Sequence, residues 1–183
     1  MSTTTTTTPT TTPTRTELVD LAVRCCQIMA DGDLDAFRAI VHPEAVNREA
    51  QSEPPAARGR GPEAFYATAL WLRTAFSDLA FTIDEVLVDA DLTAVYCTMS
   101  GRHTGDLVIW NPEGEVERAF PPTGRSFAVQ HAHFIRVRDG LAVEHWAVRD
   151  DQGMAMQLGW VPPRPAFLIR CAIATRHARK QSG

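Results

Sequence analysis

The chain has 183 residues, 44% of them hydrophobic and 22% charged, and this length and composition predict one globular domain rather than two. A net charge of −4 excludes the basic footprint of a nucleic-acid-binding protein, so we expect no nucleic-acid partner. No run approaches the roughly 18 to 20 apolar residues that a membrane span needs, and we expect no membrane partner.

The N-terminal 15 residues form a Thr/Pro tract with almost nothing to bury. We predict that residues 1–15 are a disordered tail, and this start lacks the features of a secretory signal. None of the cysteines forms a C-x-x-C pair, so neither a disulfide framework nor a zinc site is indicated, and a cytoplasmic location is expected. The four cysteines are Cys25, Cys26, Cys97 and Cys171.

Three helices are predicted in the first half of the chain. Apolar residues at three-and-four spacing predict a helix over residues 16–29 that stops at Asp31-Gly32. Asp33 is expected to cap a second short helix over residues 34–41, ended by His42-Pro43. A third helix opens at Gly61-Pro62 and runs to Ser77-Asp78.

Four strands follow, because the apolar period changes to two. They are predicted over residues 81–88, 93–104, 126–138 and 141–149, and Asp139-Gly140 indicates a tight hairpin turn between the last two. The long segment 106–123 between the second and third strands predicts a small β-excursion that is a lid, a subunit contact or a surface feature.

A helix over residues 151–158 ends at Gly159, and residues 161–183 form an extension that we predict to be helical. Helices before antiparallel strands predict an α+β domain over residues 16–160, with the helices packed on one face of a curved sheet. The apolar segment 166–174 of the extension is expected to cover the cavity mouth or to contact a second subunit.

Alternation along the strands places histidines on the inward face. In residues 126–138 the more apolar parity carries His131 and His133, together with Val129. In residues 93–104 the inward parity carries Met99 and His103. The last strand is mixed on both faces, and we predict that its Glu144, Trp146 and Asp150 parity faces inward, because Arg149 on the other face is costly to bury.

The predicted result is a pocket that brings imidazoles and carboxylates together among apolar walls. Desolvation in such a pocket raises the pKa of a carboxyl and lowers that of an imidazole, which suits acid/base chemistry on an organic substrate. The residues are His103, His131, His133, Glu144 and Asp150, with Met99, Trp146 and Val129 as walls.

Two other interpretations compete with this pocket. Each histidine taken alone is typical of a hydrogen-bonded core residue, and Asp150 is equally typical of a cap for the following helix. A three-histidine metal site is the sharper competitor, but no glutamate follows the second histidine at the spacing of a cupin site, so no metal is expected. His145 is predicted to be a surface residue.

Three stretches carry a resemblance to a known family: GRHTG (101–105), PPTGRSF (121–127) and RVRDGLAVEHWAVRDDQGMAMQLG (136–159). The chain resembles the SnoaL-like polyketide cyclases, or ester cyclases, over roughly residues 17–160. The resemblance implies the nuclear-transport-factor-two-like fold, a cone-shaped α+β barrel with three helices, a strongly bent sheet and an internal cavity.

The resemblance also implies an activity. Members of the cyclase branch close rings on polyketide intermediates by an intramolecular aldol reaction without a metal or cofactor, using an aspartate near the end of the last strand. Asp150 matches that position, with Asp151 as the alternative. An early histidine of relatives corresponds to Arg48, next to Asn47, which implies a more anionic substrate or a different reaction.

The expected function is therefore a cofactor-independent cyclase of bacterial secondary metabolism that acts on a small-molecule substrate. Asp150 is the predicted base, His131 or His133 the partner for the oxyanion, and His103 and Glu144 the next candidates. Epoxide opening by the same residues and a non-catalytic ligand-binding or dimerisation module remain open, and a homodimer is expected. The predicted substrate contacts are Trp146, Met99, Val129, Asn47, Arg48 and Trp71.

Overall fold

A computed structural model describes residues 13–182 of the chain. Most of the predicted tail, residues 1–12, lies outside the described residues. Helix α1 (Arg15–Asp31) begins with a capping box, in which the Thr14 hydroxyl accepts from the backbone N–H of Glu17 and the Glu17 carboxylate accepts from that of Thr14. Helix α1 therefore starts at a defined residue.

The helices α2 (Leu34–Arg38) and α3 (Pro62–Ala75) follow, and two short 3₁₀ turns (Ala50–Ser52 and Pro55–Arg58) precede α3. Asp33 caps α2 as predicted, since its carboxylate accepts from the Ala36 N–H at 2.8 Å. The predicted extension of α2 to residue 41 is wrong, because strand β1 (Val41–Asn47) begins there. His42 precedes a proline, a position that favours extended backbone, and it therefore lies in β1 rather than at a helix end.

The main sheet has five strands in the order β1-β7-β6-β3-β2. The pairs among β2 (Phe76–Asp89), β3 (Leu92–His103), β6 (Ser126–Arg138) and β7 (Leu141–Arg149) are antiparallel, whereas β1 runs parallel to β7. Asp139 and Gly140 adopt positive φ angles of 53° and 75° in the predicted turn between β6 and β7. The α+β prediction with a curved, mostly antiparallel sheet is confirmed.

The predicted β-excursion is a two-stranded sheet of β4 (Leu107–Trp110) and β5 (Val116–Phe120). Helix α4 (Asp151–Leu158) ends at Gly159 with φ 74°, and helix α5 (Pro165–Ser182) packs on β5. The Arg179 Nε–H donates to the Val116 carbonyl at 2.9 Å and so ties the two together. Within residues 13–182, no helix is long and apolar enough to cross a membrane.

The sheet and helices enclose two adjoining apolar clusters. The first joins α1, α2 and α3 to the sheet around Phe37, Val95 and Ile135, which are at most 1% exposed. The second joins the far end of the sheet to α4 and α5 around Phe127, Leu158 and Trp160. The cavity that carries the candidate site lies among these clusters, because residues of both line its wall.

Arg73 of α3 ties the end of α1 to the rest of the domain. Its guanidinium donates to the carbonyl oxygens of Ile28, Met29 and Gly32 at 2.6, 2.9 and 2.9 Å. The Ile28 carbonyl also accepts from the Gly32 backbone N–H at 2.8 Å. The carbonyls of Ile28 and Met29 lie in the last turn of α1, at the negative end of its dipole.

Substituting Arg73→Met is expected to lower the free energy of unfolding by about 2 kcal/mol, because the α1 carbonyls lose charged donors. Urea unfolding followed by circular dichroism measures the change. The matched control is Arg24→Met at an exposed position of α1, which should leave stability within about 0.5 kcal/mol of wild type. If both variants lost the same free energy of unfolding, the stabilising role assigned to Arg73 would be contradicted.

Candidate active site

A cavity of about 380 Å³ lies between the helices and the concave face of the sheet. This volume is in the range of small-molecule sites. Its wall is mainly apolar. Its polar groups come from β6, β7, the segment 47–53, Thr68 of α3 and Asp151 of α4. Of the predicted site residues, those that line it are His131, His133, Met99, Asn47 and Trp71.

The predicted inward faces of β3 and β6 are confirmed. His131 is 4% exposed, and Met99 and Val129 are equally buried. Val129 packs in the second apolar cluster but is not part of the cavity wall. His103 is fully buried behind that wall, in edge contact with Trp160 at 5.2 Å between ring centroids.

The predicted inward face of β7 is wrong beyond Ala142, and a bulge is the reason. Val137 pairs with Ala142, but Arg136 pairs with Glu144, so β7 holds one extra residue at Val143. A single extra residue exchanges the two faces of a strand. Ala142 is therefore buried as predicted, whereas every later residue of β7 faces the side opposite to the prediction.

Trp146 and Glu144 consequently lie on the outer face of the sheet. Trp146 stacks on Phe134 with ring planes 8° apart, and the Arg48 guanidinium lies 5.3 Å from the Trp146 ring centre. The Glu144 carboxylate accepts from Arg48 and lies 3.6 Å from the Arg136 Nε. The predicted pocket positions of Trp146, Glu144 and Arg48 are therefore wrong.

The same exchange brings His145, predicted to be a surface residue, into the cavity wall. The His145 Nε2 lies 2.9 Å from the His133 Nδ1, and the His145 Nδ1 lies 2.9 Å from the Asn47 Oδ1. The His131 ring is next in line, with its centroid 5.4 Å from that of His133. Three imidazoles and an amide thus form one polar row in an apolar cavity.

The hydrogen bonds of this row assign its protons. The Asn47 Oδ1 also accepts from the Glu49 backbone N–H at 3.1 Å, which fixes the amide orientation. The His145 Nδ1–H therefore donates to Asn47, and its Nε2 accepts from the His133 Nδ1–H. This leaves a lone pair on the His133 Nε2, a buried atom without a hydrogen-bond partner among residues 13–182.

Burial favours the neutral imidazoles that this assignment requires. Desolvation lowers the pKa of His131 and of His145 to about 3, with smaller contributions from the charges of His133 and Arg149. Both rings are therefore neutral at pH 7. The His133 Nε2 is therefore the atom of the row that is placed to accept a proton.

Arg149 contributes the cationic group of the cavity wall. Its side chain is only 32% exposed, and its cost of burial is reduced by Glu49 at 3.6 Å and Asp151 at 3.5 Å. The Glu49 Oε1 also accepts from the Ala147 N–H at 3.2 Å. A guanidinium held this way can bind an anionic oxygen of a ligand.

Asp150 is the N-cap of α4, the alternative role that the sequence also allowed. Its carboxylate accepts from the Gly153 N–H at 2.7 Å, and Asp150 is exposed and absent from the cavity wall. Asp151, the alternative at this position, does line the cavity. The predicted pocket position of the Asp150 carboxylate is therefore wrong.

Glu53 is a buried carboxyl in the cavity wall, only 3% exposed. It accepts a hydrogen bond from the Thr68 hydroxyl. Burial raises the pKa of Glu53, and this outweighs the lowering by Thr68, Arg149 and Arg58. Glu53 therefore binds a proton more tightly in the folded than in the unfolded chain.

Because the folded-state pKa of Glu53 is raised, the stability of the wild type relative to Glu53→Gln should fall as pH rises above the ordinary value of 4.5. Glutamine keeps the acceptor for Thr68 and carries no charge. We expect the variant to be the more stable protein at pH 8, and the difference to shrink towards pH 4. Melting curves across this range measure it, and a variant less stable by a constant amount at every pH would refute the expectation.

The cavity wall also holds imidazole and charged side chains that were not among the predicted site residues, namely His145, Arg149, Glu49 and Glu53. Glu49 lies in a turn two residues beyond β1, a strand that the sequence analysis did not predict, so no strand alternation indicated its direction. Glu53 lies in an irregular segment, where no periodicity reports which way a side chain points.

Comparisons with known proteins agree with this architecture. The family model for SnoaL-like polyketide cyclases matches residues 19–158. The chain is 33% identical over 149 residues to the aklanonic acid methyl ester cyclase DnrD of Streptomyces peucetius, covering 80% of this chain and 94% of DnrD. It is 32% identical over 166 residues to the aklanonic acid methyl ester cyclase DauD of Streptomyces sp. strain C5, covering 90% and 95%.

Two solved structures show the same fold. TsrD from Streptomyces laurentii superposes with a TM-score of 0.64 at 27% identity, over 80% of this chain and 98% of TsrD. Wild-type IdmH from Streptomyces antibioticus superposes with a TM-score of 0.57 at 27% identity, over 78% of this chain and 98% of IdmH.

Proposed function

Because the chain belongs to the SnoaL-like polyketide cyclase family, as its sequence resemblance predicted, we propose that it closes a ring on a polyketide-type intermediate of bacterial secondary metabolism. The observation that carries the proposal is the buried lone pair of the His133 Nε2 in the cavity wall. No step of the proposed reaction uses a cofactor.

The first step is removal of a proton from a carbon that lies between two carbonyl groups of the substrate. His133 accepts this proton at Nε2, while its Nδ1–H stays bonded to His145. Asn47 holds the His145 ring in the required orientation. The row therefore acts as a general base that keeps its geometry when it becomes charged.

The second step joins the resulting enolate carbon to a ketone carbonyl carbon of the same molecule. The carbonyl oxygen becomes an alkoxide, and His133 returns the proton to it, so that the product is an isomer of the substrate. Arg149 stabilises the negative oxygen of the enolate and of the alkoxide. His131 and the Glu53 carboxyl are the proposed hydrogen-bonding groups beside them.

We propose an ester-bearing polyketide as the substrate class. DnrD and DauD are named for aklanonic acid methyl ester, which makes this compound the first to test. The apolar wall, which includes Trp71 and Met99, suits a flat hydrophobic body, and Arg149 suits an oxygen-rich edge. Positioning a flexible chain in such a cavity supplies much of the rate.

Epoxide opening is the runner-up, because the same imidazole row and guanidinium could activate an oxygen nucleophile and assist the epoxide oxygen. A non-catalytic ligand-binding module is the third possibility. The two activities differ in their substrates, and the module differs from both in giving no product.

The experiment incubates the purified protein with aklanonic acid methyl ester and, separately, with an epoxide of matched size, and analyses both by chromatography with mass spectrometry. The proposal predicts a new compound of unchanged mass from the ester and none from the epoxide. Opening of the epoxide alone would favour the runner-up. Retention of the ester without conversion would favour the binding module.

We also propose a cytoplasmic homodimer. Four free cysteines support a reducing compartment. Helix α5 supports the dimer, because Leu168, Ile169 and Ile173 on it are each more than half exposed.

A further inference from the structure

Two cysteines and a histidine meet beside the cavity, on three separate elements. Cys26 of α1, Cys97 of β3 and His133 of β6 place their ligand atoms within 4.8 Å of one another. Cys26 is 4% exposed and Cys97 is fully buried. The proposed ring closure uses neither thiol, so the cluster calls for a separate explanation.

The orientation of His133 presents a ligand atom to this cluster. Its Nδ1–H is bonded to His145, so the Nε2 is the nitrogen free to bind a metal. Histidine ligands of metals characteristically donate their second ring N–H to a neighbouring group, which fixes the tautomer. His145, held by Asn47, is such a neighbour.

The separations fit one ion with little movement. Tetrahedral zinc with bonds of about 2.3 Å to sulfur and 2.0–2.1 Å to nitrogen needs ligand atoms about 3.5–3.8 Å apart. Atoms that already lie within 4.8 Å reach this spacing by small side-chain rotations. Cys26 and His133 also line the cavity, which leaves a fourth position open to water.

Charge selects the ion. Two thiolates and one neutral imidazole carry a charge of −2, which a divalent cation cancels, so the complex is neutral in its apolar surroundings. The surrounding residues belong to the first apolar cluster, which includes Val95 and Ile135. A sulfur-rich set with one imidazole is typical of zinc, and unlike the oxygen sets of magnesium or calcium.

We infer that Cys26, Cys97 and His133 form a zinc-binding site whose fourth position faces the cavity. No motif in the sequence indicates this site, because its ligands lie on three distant elements and lack a short spacing.

The site goes beyond the proposed cyclase function and does not depend on it. Zinc and the substrate proton would use the same nitrogen of His133. Where the cyclase mechanism holds, bound zinc therefore withdraws the base from the reaction.

The test is titration of the reduced full-length protein with Co²⁺, a spectroscopic substitute for zinc. One equivalent should produce the intense visible bands of a tetrahedral ion and a sulfur-to-cobalt charge-transfer band, and Zn²⁺ should displace both. Cys26→Ser and Cys97→Ser should abolish the charge-transfer band or weaken binding by at least about tenfold. Cys25→Ser and Cys171→Ser are the matched controls and should leave binding unchanged.

An absent charge-transfer band in the wild type, or one that survives in both Cys26→Ser and Cys97→Ser, would overturn the inference. Zinc X-ray absorption on the wild-type protein gives a second test that does not depend on whether the variants fold. It should show about two sulfur ligands at about 2.3 Å with nitrogen or oxygen completing the shell. A shell of oxygen and nitrogen alone would equally overturn it.

Discussion

Substituting His133→Gln is expected to lower the kcat of ring closure by about 10²–10⁴-fold, because the variant loses the buried lone pair that accepts the substrate proton. Glutamine retains much of the volume and polarity of the imidazole, so the cavity should stay intact. Conversion of aklanonic acid methyl ester, followed by chromatography, measures the rate. Unfolding curves of both proteins check that the fold is unchanged.

Asp150→Asn is the informative comparison for His133→Gln. Asparagine caps a helix about as well as aspartate, so the bond from Gly153 should persist and turnover should stay close to the wild-type value. If Asp150→Asn lost as much activity as His133→Gln, the base would be the exposed aspartate and the proposed mechanism would be wrong.

Substituting Arg149→Gln is expected to lower kcat by about 10²–10³-fold, the loss that follows removal of one group that stabilises a developing oxyanion. The cation lies in the cavity wall between Glu49 and Asp151. Because the negative charge develops on the enolate and alkoxide oxygens, kcat should fall by more than KM rises. Steady-state kinetics over a range of ester concentrations separates the two.

Arg48→Gln provides the matched control. Arg48 lies on the outer face of the sheet against Trp146 and Glu144, and its loss should leave kcat and KM near the wild-type values. A strong effect of Arg48→Gln together with a weak effect of Arg149→Gln would mean that substrate binds on the outer face, contrary to the proposal.

Much of the fold could be predicted because its signals are local. The apolar spacing of α1, the Asp33 cap of α2 and the Asp139-Gly140 turn each depend on a few neighbouring residues, and each is present in the structure. Strand β1 was missed because its extended conformation depends on pairing with β7, a partner almost 100 residues away in the chain. Local helical periodicity across residues 34–41 outweighed that distant contact in the prediction.

The candidate site was predicted only where side chains alternate regularly between the two faces of a strand. His131, His133 and Met99 lie on regular stretches of β6 and β3, and their inward direction follows from a period of two. The extra residue at Val143 then reverses β7, which removes Glu144 and Trp146 from the cavity and brings in His145 and Arg149. Nothing within the strand marks that bulge, since Gly140 belongs to the preceding turn and neither glycine nor proline occurs in residues 141–149.

The prediction that Arg149 faces outward considered the cost of burying its charge but not the carboxylates that pair with it. A lone guanidinium in an apolar cavity would be very unfavourable, but Glu49 and Asp151 approach it from separate elements and offset much of that cost. The arginine ends β7 rather than lying in its middle, so its head reaches the cavity while a third of its side chain remains exposed.

A crystal structure of the His133→Gln variant with aklanonic acid methyl ester would test the central claim most directly. The account predicts that the ester lies in the cavity with its acidic carbon within about 3.5 Å of the side chain at position 133 and an oxygen bound by Arg149. An ester bound on the outer face beside Trp146, or with its acidic carbon against Asp150, would contradict it.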